Sequence, residues 1–389
     1  MPKPVNRIYS SYGTTIFTTM SMLALEHDAI NLGQGFPDRD GPLQVREAAA
    51  RYVVEGPNQY PPSGGMPALR RAVADNNRRF WGLEVEPSQI IVTSGATEAL
   101  AACLMGLLNP GDEAIIIEPF YDCYLPMIEQ AGAVAKVVAL RPPHWSVPME
   151  ALEAAFSDRT KLLILNNPMN PTGKVFTREE LSDIAALLVK YDAYAVCDEV
   201  YEHLTFDHWR HVPLMSLDGM AERSLRIGSA GKTFSLTGWK VGYITGPQGL
   251  IDQVAKAHQF LTFTTPPALQ LAVADGLGMD DSYFNGLAAD LESKRDFLRA
   301  TFAGIGLEVL PCHGTYFLTV DVASFGFNGD DVAFCRQITK EARVAAVPNS
   351  AFYHPASEPP HNLVRFCFCK EPDVLAEAAK RLQSWAGRS

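Results

Sequence analysis

A chain of 389 residues exceeds one ordinary hydrophobic core, so its length implies two domains, or one large domain with a smaller companion. Apolar residues make up 47% and charged residues 20%, the balance of a globular enzyme, and 33 basic against 44 acidic residues leave a net charge of −11. That sign argues against nucleic acid or an anionic membrane as the main partner, so any anionic ligand must be gripped by a local site.

From Met1 to Asp28 there are basic residues but no continuous apolar segment behind them, and no later stretch has the length of a membrane span, so the cytoplasm is expected. Seven cysteines (Cys103, Cys123, Cys197, Cys312, Cys335, Cys367, Cys369) lie in apolar segments without the Cys-x-x-Cys spacing of a zinc or redox site, and read as small core residues. No metal site is expected. Short apolar strands alternate with amphipathic helices, which predicts an α/β fold with a largely parallel sheet.

Four strand-to-loop units matter. Gln89 to Thr93 reads as a strand, followed by Ser94-Gly95-Ala96-Thr97 and a helix from Glu98 that ends at Asn109-Pro-Gly111. A helix start preceded by small residues is a ready anion site. Lys161 to Leu165 is a strand, residues 166–173 a proline-rich loop containing Asn170, and Thr177-Arg-Glu-Glu180 a capping box for the next helix. Ala193 to Cys197 is a buried strand that delivers Asp198 at its end, with Glu199 and Tyr201 just beyond; His208 and His211, further on, read as decoration of a surface loop. Finally, Leu225 to Gly228 leads to Ser229 and Lys232. Gly231-Lys232-Thr233 resembles the end of a phosphate-cradling P-loop, but that loop needs a glycine five positions before Gly231, where Arg226 stands.

Loops at the carboxyl ends of neighbouring parallel strands converge on one crevice, which can gather Gly95, Ala96, Thr97, Asn170, Asp198, Tyr201, Ser229 and Lys232. A lysine at a strand end, readily shifted in pKa by burial, suits covalent capture of an aldehyde. A buried carboxylate suits a protonated ring nitrogen, an amide and a phenol suit a ring oxygen, and a helix N-terminus with a hydroxyl and a cation suits a phosphate. These are the needs of pyridoxal 5′-phosphate.

Asn167-Pro-Met-Asn170-Pro-Thr-Gly173, Asp198-Glu-Val-Tyr201 and Ser229-x-x-Lys232 stand in an order that resembles the fold-type I, class I/II aminotransferases, over the length from Asn31-Leu-Gly-Gln-Gly35-Phe-Pro to Arg365-Phe-Cys-Phe. Gly13-Thr-Thr-Ile-Phe17, Glu118-Pro-Phe-Tyr121-Asp-Cys-Tyr and Ser229-Ala-Gly-Lys-Thr-Phe-Ser-x-Thr-Gly-Trp-Lys240 are similar to the branch with kynurenine aminotransferase, glutamine transaminase K and the bacterial methionine aminotransferases. The resemblance implies a large cofactor-binding domain over residues 46–286 with a mostly parallel central sheet flanked by helices. It implies a smaller α+β domain from 1–45 with 287–389, with a long helix around Leu291 joining the two. Pro311-Cys-His-Gly314-Thr-Tyr-Phe and the Arg365 strand are expected in the sheet of the smaller domain.

By the same resemblance Lys232 bonds the cofactor aldehyde and carries protons, Asp198 holds the ring nitrogen, Asn170 and Tyr201 tune the ring oxygen, and Tyr121 stacks on the ring. Gly95, Ala96, Thr97, Ser229 and Lys240 hold the phosphate, joined by Tyr60 from the second copy of a homodimer with shared sites. Arg365 grips the substrate α-carboxylate, with Gly35, Asn170, Phe17, Phe263 and Phe352 also at the substrate. The segment from His258 to Thr264 offers aromatic and hydroxyl groups rather than a second cation. The expected reaction is therefore ping-pong transfer from methionine, phenylalanine, kynurenine or glutamine to a 2-oxo acid. The alternative is a C–S β-lyase acting on cysteine conjugates at the same site. A ligand-sensing regulator built on such a domain would need a DNA-binding module, which is not expected in the short stretch before Asn31.

Overall fold

The computed structural model describes residues 3–327 and 329–387. Its centre is a seven-stranded sheet in the spatial order Ile90–Ser94, Val241–Thr245, Ser224–Ser229, Tyr194–Asp198, Thr160–Asn166, Glu113–Glu118, Val134–Ala139. Val241–Thr245 runs antiparallel to both neighbours, and every other pairing is parallel. The apolar runs are continuous because both faces are covered, and the two-residue side-chain period divides them between two cores. Ala114, Ile116, Leu162, Ile164 and Val196 pack into one, while Ile115, Ile117, Leu163, Leu165, Ala195 and Cys197 pack into the other. The described cysteines are all unpaired, and six of the seven are buried.

The key strands run a residue further than their apolar runs suggest, so Ser94, Asn166, Asp198 and Ser229 are the last strand residues. The helix after the first of these begins at Gly95, ahead of the expected Glu98, because Gly95 takes φ +77° and turns the strand directly into Gly95–Leu107. The Thr177/Glu180 capping box forms as expected at the start of Arg178–Lys190.

A second, antiparallel sheet orders Val347–Pro348, Leu363–Cys367, Phe317–Asp321 and Glu308–Val309, and the 24-residue helix Asp281–Gly304 precedes it. Arg365 sits mid-strand there, opposite Thr319. Of the expected strand segment 311–317, only Phe317 is in the sheet. Thr315 takes φ +67°, which breaks the extended chain and leaves a turn bridged to Thr205 through Gly314.

Arg226, which displaces the P-loop glycine, is the hub of a buried ionic network. Its Nε donates to Glu199 at 2.5 Å, Nη1 to Asn77 at 2.5 Å and Nη2 to Glu202, and its guanidinium lies 5.6 Å from the Trp81 ring. His208 is exposed as expected, but His211 is not a surface residue: it is buried and bonds Glu199 at 2.9 Å. The need to satisfy a buried carboxylate draws it inward. Among the described residues no cluster of metal-ligating side chains occurs, and no helix is long and apolar enough to cross a membrane.

Burial alone would push the Glu199 carboxyl up, but His211 and Arg226 outweigh it and hold it below the ordinary range. A depressed folded pKa gives stability that is present above the unfolded value and lost as pH falls through the folded one. Glu199→Gln should therefore cost about 3–5 kcal/mol in urea unfolding at pH 7. The gap to wild type should narrow once pH drops below about 4.5, the ordinary glutamate value.

Candidate active site

The strand ends open into a cavity of 360 Å³. Gly95, Ala96, Thr97, Tyr121, Asn170, Asp198, Tyr201, Ser229, Lys232, Lys240, Gly35, Phe17 and Arg365 all reach its wall, although they span most of the chain. The sheet explains much of this: Tyr121, Asn170, Asp198, Tyr201, Ser229 and Lys232 lie at or beyond the carboxyl ends of parallel strands, and Gly95, Ala96 and Thr97 follow Ile90–Ser94, while Phe17, Gly35 and Arg365 come from outside it.

At the floor, Asp198 accepts a hydrogen bond from Tyr124 Oη at 2.6 Å through Oδ2, while Oδ1 is buried without a partner. Burial pushes this carboxyl up despite the Tyr124 bond. An orphaned acceptor of this kind suits a cationic N–H donor. The Asn166 amide donates to the Asp198 carbonyl at 2.9 Å and accepts the Asn170 N–H at 2.7 Å, so Asn170 is fixed by the neighbouring strand end. Tyr201 is buried, and its phenol is pushed well up by desolvation and stays neutral.

Lys232 is half-buried above this floor, and desolvation lowers its amine to about 8. Its Nζ bonds Tyr316 Oη at 2.9 Å and lies 5.7 Å from the Tyr201 ring. At one end, the N-terminus of Gly95–Leu107 faces the cavity, and Lys240, turned by φ +54°, brings its Nζ beside Gly95. Backbone N–H groups, the Ser229 hydroxyl and this cation form an anion cradle.

At the other end, Arg365 donates from Nη1 to Asn170 Oδ1 at 2.7 Å and from Nη2 to the Gly33 carbonyl at 2.8 Å, both neutral acceptors, and its Nε has no partner. Phe317, Phe352 and Phe17 surround the guanidinium at 4.0, 4.8 and 5.3 Å. Burial lowers its pKa to about 10. A buried cation held only by neutral groups calls for an anion. Phe352 stands behind Phe17, edge to face at 5.6 Å, rather than on the cavity wall.

Two of the expected residues lie elsewhere. Tyr60 is 83% exposed and packs edge to face on Phe263 at 5.4 Å, outside the cavity, beside a second depression of 710 Å³. Conversely, Gln34, Phe36, Asn166, Phe317, Tyr124 and Tyr316 belong to or support the site without having been anticipated. Tyr124 lies in the same string as Tyr121, so an acid at a strand end with a tyrosine-rich segment nearby was the available signal. For Tyr316 no local pattern gives one.

The family model for aminotransferase class I and II matches residues 27–382. The chain belongs to this family. It is a pyridoxal 5′-phosphate-dependent transaminase, and the orphaned Asp198 oxygen, the half-buried lysine and the anion cradle fit that cofactor. The methionine aminotransferase of Escherichia coli is 42% identical over 373 residues, covering 95% of this chain and 96% of that protein. The kynurenine–oxoglutarate transaminase of Dictyostelium discoideum is 39% identical over 410 residues, covering 96% and 94%. The solved structure of N-succinyldiaminopimelate aminotransferase from Mycobacterium tuberculosis superposes with a TM-score of 0.95 at 44% identity, covering 98% of this chain and all of that one.

Because burial depresses the Lys232 amine, the cofactor-free protein should react there with an amine-selective reagent with a midpoint near pH 8, against 10.5 for ordinary lysines, as read by mass spectrometry across pH. A midpoint near 10.5 would show that the desolvation argued above is absent.

Proposed function

We propose that this transaminase transfers the amino group of a large apolar, sulfur-containing or aromatic L-amino acid, of the methionine, phenylalanine, kynurenine or glutamine type, to a 2-oxo acid. The observation that carries this reading is Arg365, a buried cation whose Nε has no partner, inside a ring of phenylalanines. It can grip an α-carboxylate while the space beside it accepts apolar side chains, each buried methylene contributing about 0.8 kcal/mol. The other cations on the wall are Lys232 and Lys240, both in the cofactor half. The second carboxylate of a dicarboxylic amino acid would find no further cation on this chain's wall, and burying it unpaired would cost several kcal/mol.

Bound pyridoxal phosphate supplies an aldehyde that takes up the amino group and a cationic ring that withdraws the electron pair left at the α-carbon. Asp198, whose Oδ1 has no partner, would accept the ring N–H and keep that proton in place. Asn170 and Tyr201 would orient the ring oxygen, Tyr121 would cover the ring, and Gly95, Ala96, Thr97, Ser229 and Lys240 would hold the phosphate. Lys232 would hold the aldehyde carbon and, as a free amine, would move a proton from the substrate α-carbon; the desolvation that lowers this amine in the chain alone favours its neutral, proton-accepting form. Residues 46–286 form the cofactor domain and 1–45 with 287–389 the smaller one, a division supported by the separation of the four-stranded sheet from the seven-stranded one and by the small two-stranded sheet that pairs Ile30–Asn31 with Val344–Ala345.

A panel of donors assayed with 2-oxoglutarate tests the substrate class. Methionine, phenylalanine, kynurenine or glutamine should give the highest kcat/KM, and aspartate or glutamate in first place would overturn the proposal.

We also propose that the chain is a homodimer in which Tyr60, with Phe263 beside it, serves the cavity of the second copy. Their exposure and their separation from their own cavity support this. Tyr60→Ala and Lys232→Ala should each be nearly inactive alone. Mixed and reassociated, they should regain activity, because one site per heterodimer keeps both side chains; no regain would remove the shared site.

A further inference from the structure

Lys232 lies in the wall of two cavities, the 360 Å³ site and a separate one of 380 Å³ also lined by Tyr316, Leu204, Ser235 and Cys369. With open space on both sides, packing alone does not choose the rotamer of the amine. Hydrogen bonds do. Tyr316, 1% exposed, donates its single phenolic proton to the Gly35 carbonyl at 2.7 Å, and its oxygen accepts from Lys232 Nζ at 2.9 Å. Nζ also reaches the Gly35 carbonyl at 3.5 Å.

A neutral amine has two N–H bonds and one lone pair. With its N–H bonds committed to Tyr316 Oη and Gly35 O, the lone pair takes the remaining tetrahedral direction. We infer that Tyr316 is a positioning residue for the reaction: acting through Lys232, its phenol oxygen holds the displaced amine in one orientation, so that a single lone pair is presented for proton transfer. This rests on the proposed role of Lys232 as proton carrier.

Gly35 is part of the device. A methyl group there would lie 2.5 Å from Phe317 Cζ and 3.3 Å from Tyr316 Cε2, so only glycine lets its carbonyl approach the phenol. Besides Tyr316, the amine faces Asp198, Arg365 and Lys240 as charged groups, the Cys369 thiol and the Tyr201 phenol. Burial pushes the Tyr316 phenol well up, so its donation to Gly35 persists over the working pH range.

The test is Tyr316→Phe, with site-specific 3-fluorotyrosine at 316 as a second variant that keeps the fold and weakens the acceptor. In cofactor-free protein the midpoint of Lys232 labelling should fall by about one pH unit in Tyr316→Phe, and by less with fluorotyrosine, because a charge-assisted hydrogen bond to the ammonium form is lost. In the holoenzyme kcat should fall roughly 10- to 100-fold with KM changed by less than about two-fold, and the isotope effect with α-deuterated methionine should rise. Unchanged midpoints and isotope effects in the folded variants would overturn the assignment of Tyr316. If borohydride reduction of the wild-type holoenzyme marked a residue other than Lys232, the underlying reading would fall instead, so the two failures are distinguishable.

Discussion

Burying an ionisable group costs several kcal/mol unless its partners are supplied, and the cavity gathers three such groups whose partners are incomplete. Asp198 is satisfied on one oxygen only, Arg365 is held by neutral oxygens with Nε free, and Lys232 is desolvated enough to lower its amine to about 8. Each deficit has a defined chemical complement: a cationic donor, a carboxylate and an aldehyde carbon. On the roles proposed above, cofactor and amino acid together would bring all three, so ligand binding would relieve a cost that folding alone leaves in place.

Such a site can exist only on a scaffold that does not relax to neutralise it. The strands beneath are buried on both faces, with alternate residues locked into separate cores. The turn at Gly95 is fixed from below, since a methyl at Gly242 would lie 2.6 Å from the Gly95 carbonyl carbon. Behind Asp198, the Arg226 network ties the following turn, through Glu199 and Glu202, to Asn77 on the helix Pro67–Trp81. The acid is held at its strand end by charges it never touches.

Which parts of this were legible in the sequence follows from how local the signal is. Asp198 stands out because a polar residue directly after the run Ala193 to Cys197 has no packing role, Ser229 and Lys232 because they follow the next strand at its end, and parallel topology then carries them to one crevice. The Arg226 network was invisible because Arg226 and Asn77 are 149 positions apart and no period or spacing links them. His211 was misplaced for the same reason, its partner Glu199 being reached only once the loop folds back. Tyr316 was hidden by a backbone effect: Gly314-Thr-Tyr-Phe has the composition of a strand, and only the positive φ of Thr315 turns the phenol towards Lys232.

That turn also sets two contacts of the site side by side. Tyr316 and Phe317 are consecutive; the first contacts the lysine amine, and the second lies 4.0 Å under the Arg365 guanidinium. Both pack on Gly35, where a side chain would collide with the Phe317 ring and press on that of Tyr316. On the proposed reading, the α-carboxylate is fixed by Arg365 and the α-proton is taken by Lys232, two groups joined through one short stretch of backbone and one glycine. Proton transfer depends steeply on donor–acceptor distance, so contacts that set the lysine amine and the Arg365 guanidinium from neighbouring residues bear directly on it. Gly35 is therefore constrained from two sides at once, by the ring of Phe317 and by the hydroxyl of Tyr316.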